Sequence, residues 1–175
     1  MRKTLLLITC LLVCMLASAQ AVKTGMTPYI FHHAWEKVQS GNVKGGEALL
    51  KRAGYSKVGE YHPEIGFNII YAKGCTVSVS DSGQVKSAKA KDASGYASYM
   101  QIGAGTGFCY DMSITFLNEK GVQAFVEMLK SSGYKMSRKD LYDWGKIENV
   151  WERASDRWFI LQDGNTFYID EGPCA

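Results

Sequence analysis

Three histidines are the first residues to examine in this chain, since imidazole both moves protons and ligates metals near neutral pH. His62 lies between Glu60 and Glu64, with Pro63 after it. In an extended segment alternate side chains share a side, so all three groups can face one way. An imidazole with two carboxylates could serve acid–base chemistry or zinc, once a further group closes the site. Nothing else in the sequence nominates that group, so a solvated turn is expected, with His62 and its neighbouring carboxylates as the enzymatic alternative. His32 and His33 are adjacent in a stretch that reads as helix, which sets them about 100° apart around the axis. That spacing does not direct both at one metal. His32 and Glu36 have the i, i+4 spacing of helical neighbours, and a surface pair is expected.

Gly103-Ala104-Gly105-Thr106-Gly107 has the composition of a phosphate-cradling loop. A P-loop needs Lys-Ser/Thr after its last glycine, whereas Phe108-Cys109 follows here. A dinucleotide loop opens a helix, whereas these glycines lead into an alternating strand. A hairpin turn or a close backbone approach is the expected use. No Gly-x-Ser-x-Gly elbow is present. The residues therefore call for no cofactor and no resident metal.

Aromatic side chains are concentrated in the last third of the chain: Tyr142, Trp144, Trp151, Trp158 and Tyr168. Asp156 to Gln162 is apolar on both faces, Trp158 and Ile160 alternating with Phe159 and Leu161. Such a strand is covered on both sides or shows one aromatic face to a partner. Parity puts Trp158 with Ile160 in the core, where its replacement by Ala should cost about 3–5 kcal/mol. Trp151 shares parity with Asn149 and Arg153 and is expected to be the more exposed of the two. Tyr142, Trp144, Trp151 and Tyr168 make the expected binding surface, since Tyr and Trp anchor interfaces at low entropic cost.

The chain begins with Arg2-Lys3, an apolar run from Leu5 to Leu16 and Ala17-Ser18-Ala19. These are the parts of a secretory signal peptide, predicting cleavage before Gln20 and a periplasmic or extracellular protein. The run is shorter than the roughly 20 apolar residues of a membrane span, and no small residue precedes Cys10 or Cys14 as a lipid-anchor site requires. Without Arg2 and Lys3 the chain carries 18 basic against 17 acidic residues. A net charge near +1 offers no electrostatic attraction to nucleic acid or an anionic membrane. The expected partner is another protein or an envelope or extracellular ligand.

Export leaves Cys75, Cys109 and Cys174 in an oxidising compartment. Cys75 shares its face with Val77 and Val79 and reads as a buried, inert thiol. Cys109 shares a polar face with Asp111, Ser113 and Thr115. A Cys109–Cys174 disulfide is therefore predicted, pinning the C-terminal tail and contributing about 4 kcal/mol in the chain-entropy model.

These groups need elements to position them. Phe108, Tyr110, Met112, Ile114 and Phe116 alternate as a strand. Asn118 can cap a helix whose Val122, Phe125, Val126 and Leu129 share one face, and Gly133-Tyr134 can close it. Thr27-Pro28 starts an earlier helix ending at Gly41, and a second runs from Lys44 to Ala53 before Gly54-Tyr55. Strands are expected at Ile65–Tyr71, Cys75–Val79, Tyr96–Ile102, Lys146–Arg153, Asp156–Gln162 and Asn165–Asp170. Turns are expected at Asp81-Ser82-Gly83 and Asp163-Gly164, with Lys86 to Gly95 as a fraying strand end and linker.

The fold class is α+β. Aligning Gly54 with Gly133 gives an offset of 79, and aligning Asn68-Ile69-Ile70 with Asn149-Val150-Trp151, or Gly83 with Gly164, gives 81. The reading is two similar helix-plus-antiparallel-meander halves, 20–90 and 91–175, packed into one compact domain. At the level of architecture this plan resembles small secreted inhibitor and cystatin-like folds. The expected function is a secreted or periplasmic, inhibitor-like binding module rather than an enzyme.

Overall fold

The computed structural model describes residues 25–62, 66–104, 110–140 and 147–170. The signal segment, Glu64, the glycines at 105 and 107, Cys109, Tyr142, Trp144 and Cys174 lie outside the described residues.

Local chemistry sets the helix boundaries. Helix α1 (Pro28–Gln39) begins where Thr27 Oγ1 accepts the Ile30 amide at 3.1 Å, and it buries Phe31, Ala34, Trp35 and Val38. Helix α2 (Val43–Arg52) is capped by Asn42 and closed by Tyr55 N donating to Leu50 O at 3.0 Å across Gly54, whose φ is +88°. Helix α3 (Glu119–Ser131) closes in the same way, with Tyr134 N donating to Leu129 O at 3.0 Å across Gly133, also at φ +88°. Its start differs from expectation. The Asn118 side chain makes no capping bond, and the Asn118 carbonyl accepts the Gly121 and Val122 amides instead.

The strands are β1 (Ser56–Tyr61), β2 (Phe67–Lys73), β3 (Cys75–Val79), β4 (Val85–Ala90), β5 (Ser98–Ala104), β6 (Tyr110–Phe116), β7 (Lys135–Asp140), β8 (Ile147–Glu152), β9 (Phe159–Asp163) and β10 (Thr166–Asp170). Eight of them form one antiparallel sheet in the order β1-β2-β5-β6-β10-β9-β8-β7. Strands β3 and β4 pair separately as a hairpin, so the segment read as a fraying linker from Lys86 is ordered strand as far as Ala90. The fold is α+β, with the described helices on one face of the sheet.

Alternation decides what that face buries. Ile69 and Tyr71 of β2, Met100 and Ile102 of β5, Met112, Ile114 and Phe116 of β6, and Phe167 and Ile169 of β10 join Phe31, Leu50 and Phe125 in one cluster. Phe125 is its hub, with ring centroids 6.0 Å from Phe31, 5.6 Å from Phe116 and 4.9 Å from Phe167. On the opposite face the β3–β4 hairpin folds back over β2. Asn68 Nδ2 donates to Gly83 O at 2.6 Å, and Ile70, which points that way, is fully buried.

Strands β1 and β7 escaped the sequence reading. They are the two edges of the sheet, and neither SKVGEY nor KMSRKD alternates; in β1 much of both faces meets water. Backbone pairing to β2 and β8 holds them in place, and their charges guard the edges against further strands.

A helix followed by antiparallel strands occurs on both sides of the β6–β10 seam, but the residue alignment of the halves is not reproduced. The β3–β4 hairpin, whose Gly83 was set against Gly164, lies outside the large sheet, while Gly164 turns between two of its strands. Sheet position sets Tyr71 against Trp151, each beside an edge strand and inside the core. That offset is 151 − 71 = 80, not 81.

Cys75 is free and buried, its thiol donating to Ser98 O at 3.2 Å, and burial pushes its pKa up. The Cys75 peptide should stay unlabelled by maleimide in native protein and label fully in denaturant. Equal labelling in both states, measured by peptide mass, would refute the inert-thiol assignment.

Candidate functional site

The turn between β8 and β9 builds a polar network at the surface. Arg153 donates from Nε and Nη2 to the two Asp156 carboxylate oxygens at 3.0 and 3.1 Å, a forked pairing. Tyr134 Oη donates to Asp156 at 2.8 Å, and the Arg153 guanidinium lies 5.0 Å from the Tyr134 ring centre. Burial pushes the Asp156 carboxyl up, but hydrogen bonds from Arg153, Tyr134 and Ser155 outweigh it and hold the group below its ordinary value. Burial and the bond to Asp156 push the Tyr134 phenol up. The groups satisfy one another, so this network fixes the turn and leaves no free acid or base aimed at a substrate.

Beside it lies a cleft of about 600 Å³ lined by Lys135, Glu152, Arg153, Arg157, Trp158 and Phe159, among others. Trp158 joins the cleft to the helical layer. Its indole stacks on the His32 ring with centroids 3.9 Å apart and planes within 10°, and Tyr134 packs on it at 5.6 Å. Phe159, at the edge of the cleft, belongs to the sheet face opposite the described helices. There Leu161 pairs with both Val150 and Tyr168, and Phe159 pairs with Asp170. Val150 is buried, Phe159 and Leu161 are half-buried, and Tyr168 is 39% exposed.

The expected binding residues separate. Tyr168 is on the surface, as expected. Trp158 is buried, as expected, but it precedes β9 and packs against His32 and Tyr134. Trp151 corrects the reading: it is 4% exposed, inside the helix-side core, with Nε1 donating to Gln162 Oε1 at 2.9 Å. Parity misled because Asn149, on the same face within β8, is only half-buried opposite Gln162, and Arg153 falls beyond the end of the strand, where alternation no longer applies. Tyr142 and Trp144 lie outside the described residues, as do Cys109 and Cys174. The half-buried Phe159 and Leu161 were visible as the second face of a doubly apolar strand, but sequence reading did not place them on the binding surface.

The histidines also divide. His62 is 68% exposed and meets Glu60 at 3.2 Å, and Glu60 in turn pairs with Lys57. The Lys57 bond holds the Glu60 carboxyl below its ordinary value. His32 and His33 depart from expectation. Their rings converge instead of diverging, with Nδ1 of His32 3.7 Å and Nδ1 of His33 2.5 Å from the same Glu36 oxygen. Glu36 is i+4 to one and i+3 to the other, so a single carboxylate reaches both despite their angular separation.

The sequence matches no protein-family model, and comparison with curated proteins and with solved structures likewise finds no match.

Proposed function

We propose that this chain is an exported, inhibitor-like binding module that holds a segment of another protein against the face of β9 and β10 opposite the described helices and in the adjoining cleft. The observation that carries this reading is Tyr168, 39% exposed, with Leu161 and Phe159 half-buried beside it on a face where none of the described helices packs. Apolar and aromatic groups left at a surface favour association over solvation. Lys135, Arg153 and Arg157 outnumber Glu152 and Asp156 around the cleft, which suits a partner segment carrying an acidic side chain. The basic, apolar and Ala-Ser-Ala parts of the first 19 residues support export, and with it a partner in the envelope or medium.

The test is affinity capture from envelope and medium fractions with the wild-type chain and with the Tyr168→Ser, Arg157→Glu double variant. Both substitutions are at exposed positions, where changes are usually within about 0.5 kcal/mol in stability. The wild type should retain a protein whose binding weakens by tenfold or more in the variant, a loss of about 1.4 kcal/mol or more. Equal retention by the two proteins, or none by the wild type, would overturn the reading.

A further inference from the structure

The geometry points to a second site, independent of the sheet face: His32, His33 and Glu36 on α1 bind a divalent transition metal of the zinc class. The three side chains each bring one ligand atom into a group whose members all lie within 4.8 Å of one another. Ligand atoms held by one tetrahedral zinc at about 2.0–2.2 Å stand roughly 3.4 Å apart. The His32–Glu36 separation of 3.7 Å is already near that figure. The His33–Glu36 distance of 2.5 Å is that of a hydrogen bond, and the metal takes the place of its proton.

The movement required is small and local. The His33 and Glu36 side chains are 37% and 46% exposed, so both can rotate outward without disturbing the core. His32 needs no such freedom. Its ring is 13% exposed and clamped flat against Trp158, which fixes the imidazole before a metal arrives. Tyr29 packs edge-on against His33 at 4.0 Å and limits its rotation on the other side.

Donor chemistry selects the ion. Two imidazole nitrogens and one carboxylate suit zinc, copper or nickel, whereas magnesium and calcium take oxygen ligands. The solvent-facing flank leaves a coordination position for water or for a donor from a bound molecule.

Calorimetric titration of untagged protein with Zn²⁺ tests the site. One saturable equivalent per chain is expected. His33→Ala and Glu36→Ala should each weaken it tenfold or more while leaving the unfolding midpoint unchanged. His62→Ala removes the third histidine of the chain and should bind as the wild type does. Cu²⁺ should quench tryptophan emission with the same stoichiometry, because the His32 ring lies on the Trp158 indole, and the quench should shrink in Trp158→Phe. Absence of a saturable event, wild-type affinity in His33→Ala, or loss of binding in His62→Ala would overturn the assignment.

Discussion

Trp151→Ala should lower the free energy of unfolding by about 3–5 kcal/mol, the range for truncating a buried aromatic side chain. The indole is 4% exposed and lies opposite Ile160 on one side and Met136 on the other. Truncation opens a cavity in the helix-side core and leaves Gln162 Oε1 without its donor. Trp151→Phe separates the two losses. It keeps most of the apolar volume and should cost about 1–2 kcal/mol, chiefly the hydrogen bond. Denaturant unfolding at neutral pH measures both. A cost below 1 kcal/mol for the alanine variant would return Trp151 to the surface.

Alkaline solution should unfold the protein steeply. Tyr55, Tyr71 and Tyr134 are 2%, 3% and 4% exposed. Burial raises all three phenols well above their ordinary value, reinforced at Tyr71 by its bond to Glu47 and at Tyr134 by its bond to Asp156. The bond between Tyr55 and Ser98, 2.6 Å long, only partly offsets burial. In the unfolded chain each phenol loses its proton near pH 10, whereas in the folded chain it keeps it. Their stability contribution is therefore fully present below pH 10 and is lost as pH rises toward the folded values. With three protons retained only by the folded state, the slope reaches about 4 kcal/mol per pH unit. Tyr55→Phe should reduce it by roughly a third. Unfolding free energies that stay flat from pH 9.5 to 11, or a slope unchanged in that variant, would refute the account.

Periodicity and capping residues were enough to read α1, α2, α3 and the buried strands. A helix needs one apolar stripe and a start or stop signal, and Thr27-Pro28, Gly54-Tyr55 and Gly133-Tyr134 supply that punctuation beside α1, α2 and α3. Strands β6 and β10 were equally legible, because one face of each is core and alternation records it. Cys75 was legible as an apolar-face thiol by the same rule. Strands β1 and β7 were not, since each is held by backbone bonds to a single neighbouring strand, and those bonds leave no mark on side-chain alternation.

Only tertiary structure decided the rest. Trp151 is core because Ile160 lies across from it in β9, and the two strands are joined through a turn whose shape depends on Arg153, Asp156 and Tyr134. The β3–β4 hairpin left the large sheet because β5 pairs with β2, a choice made between strands 25 residues or more apart at every paired position. The spacing of His32 and His33 to Glu36 is local, but the His32 ring lies flat against Trp158, more than a hundred residues later. Local sequence sets backbone propensity and the polarity of each face. Which residues then stand opposite one another is settled by long-range pairing, and the grouping of Phe159, Leu161 and Tyr168 and the stack of His32 on Trp158 both depend on it.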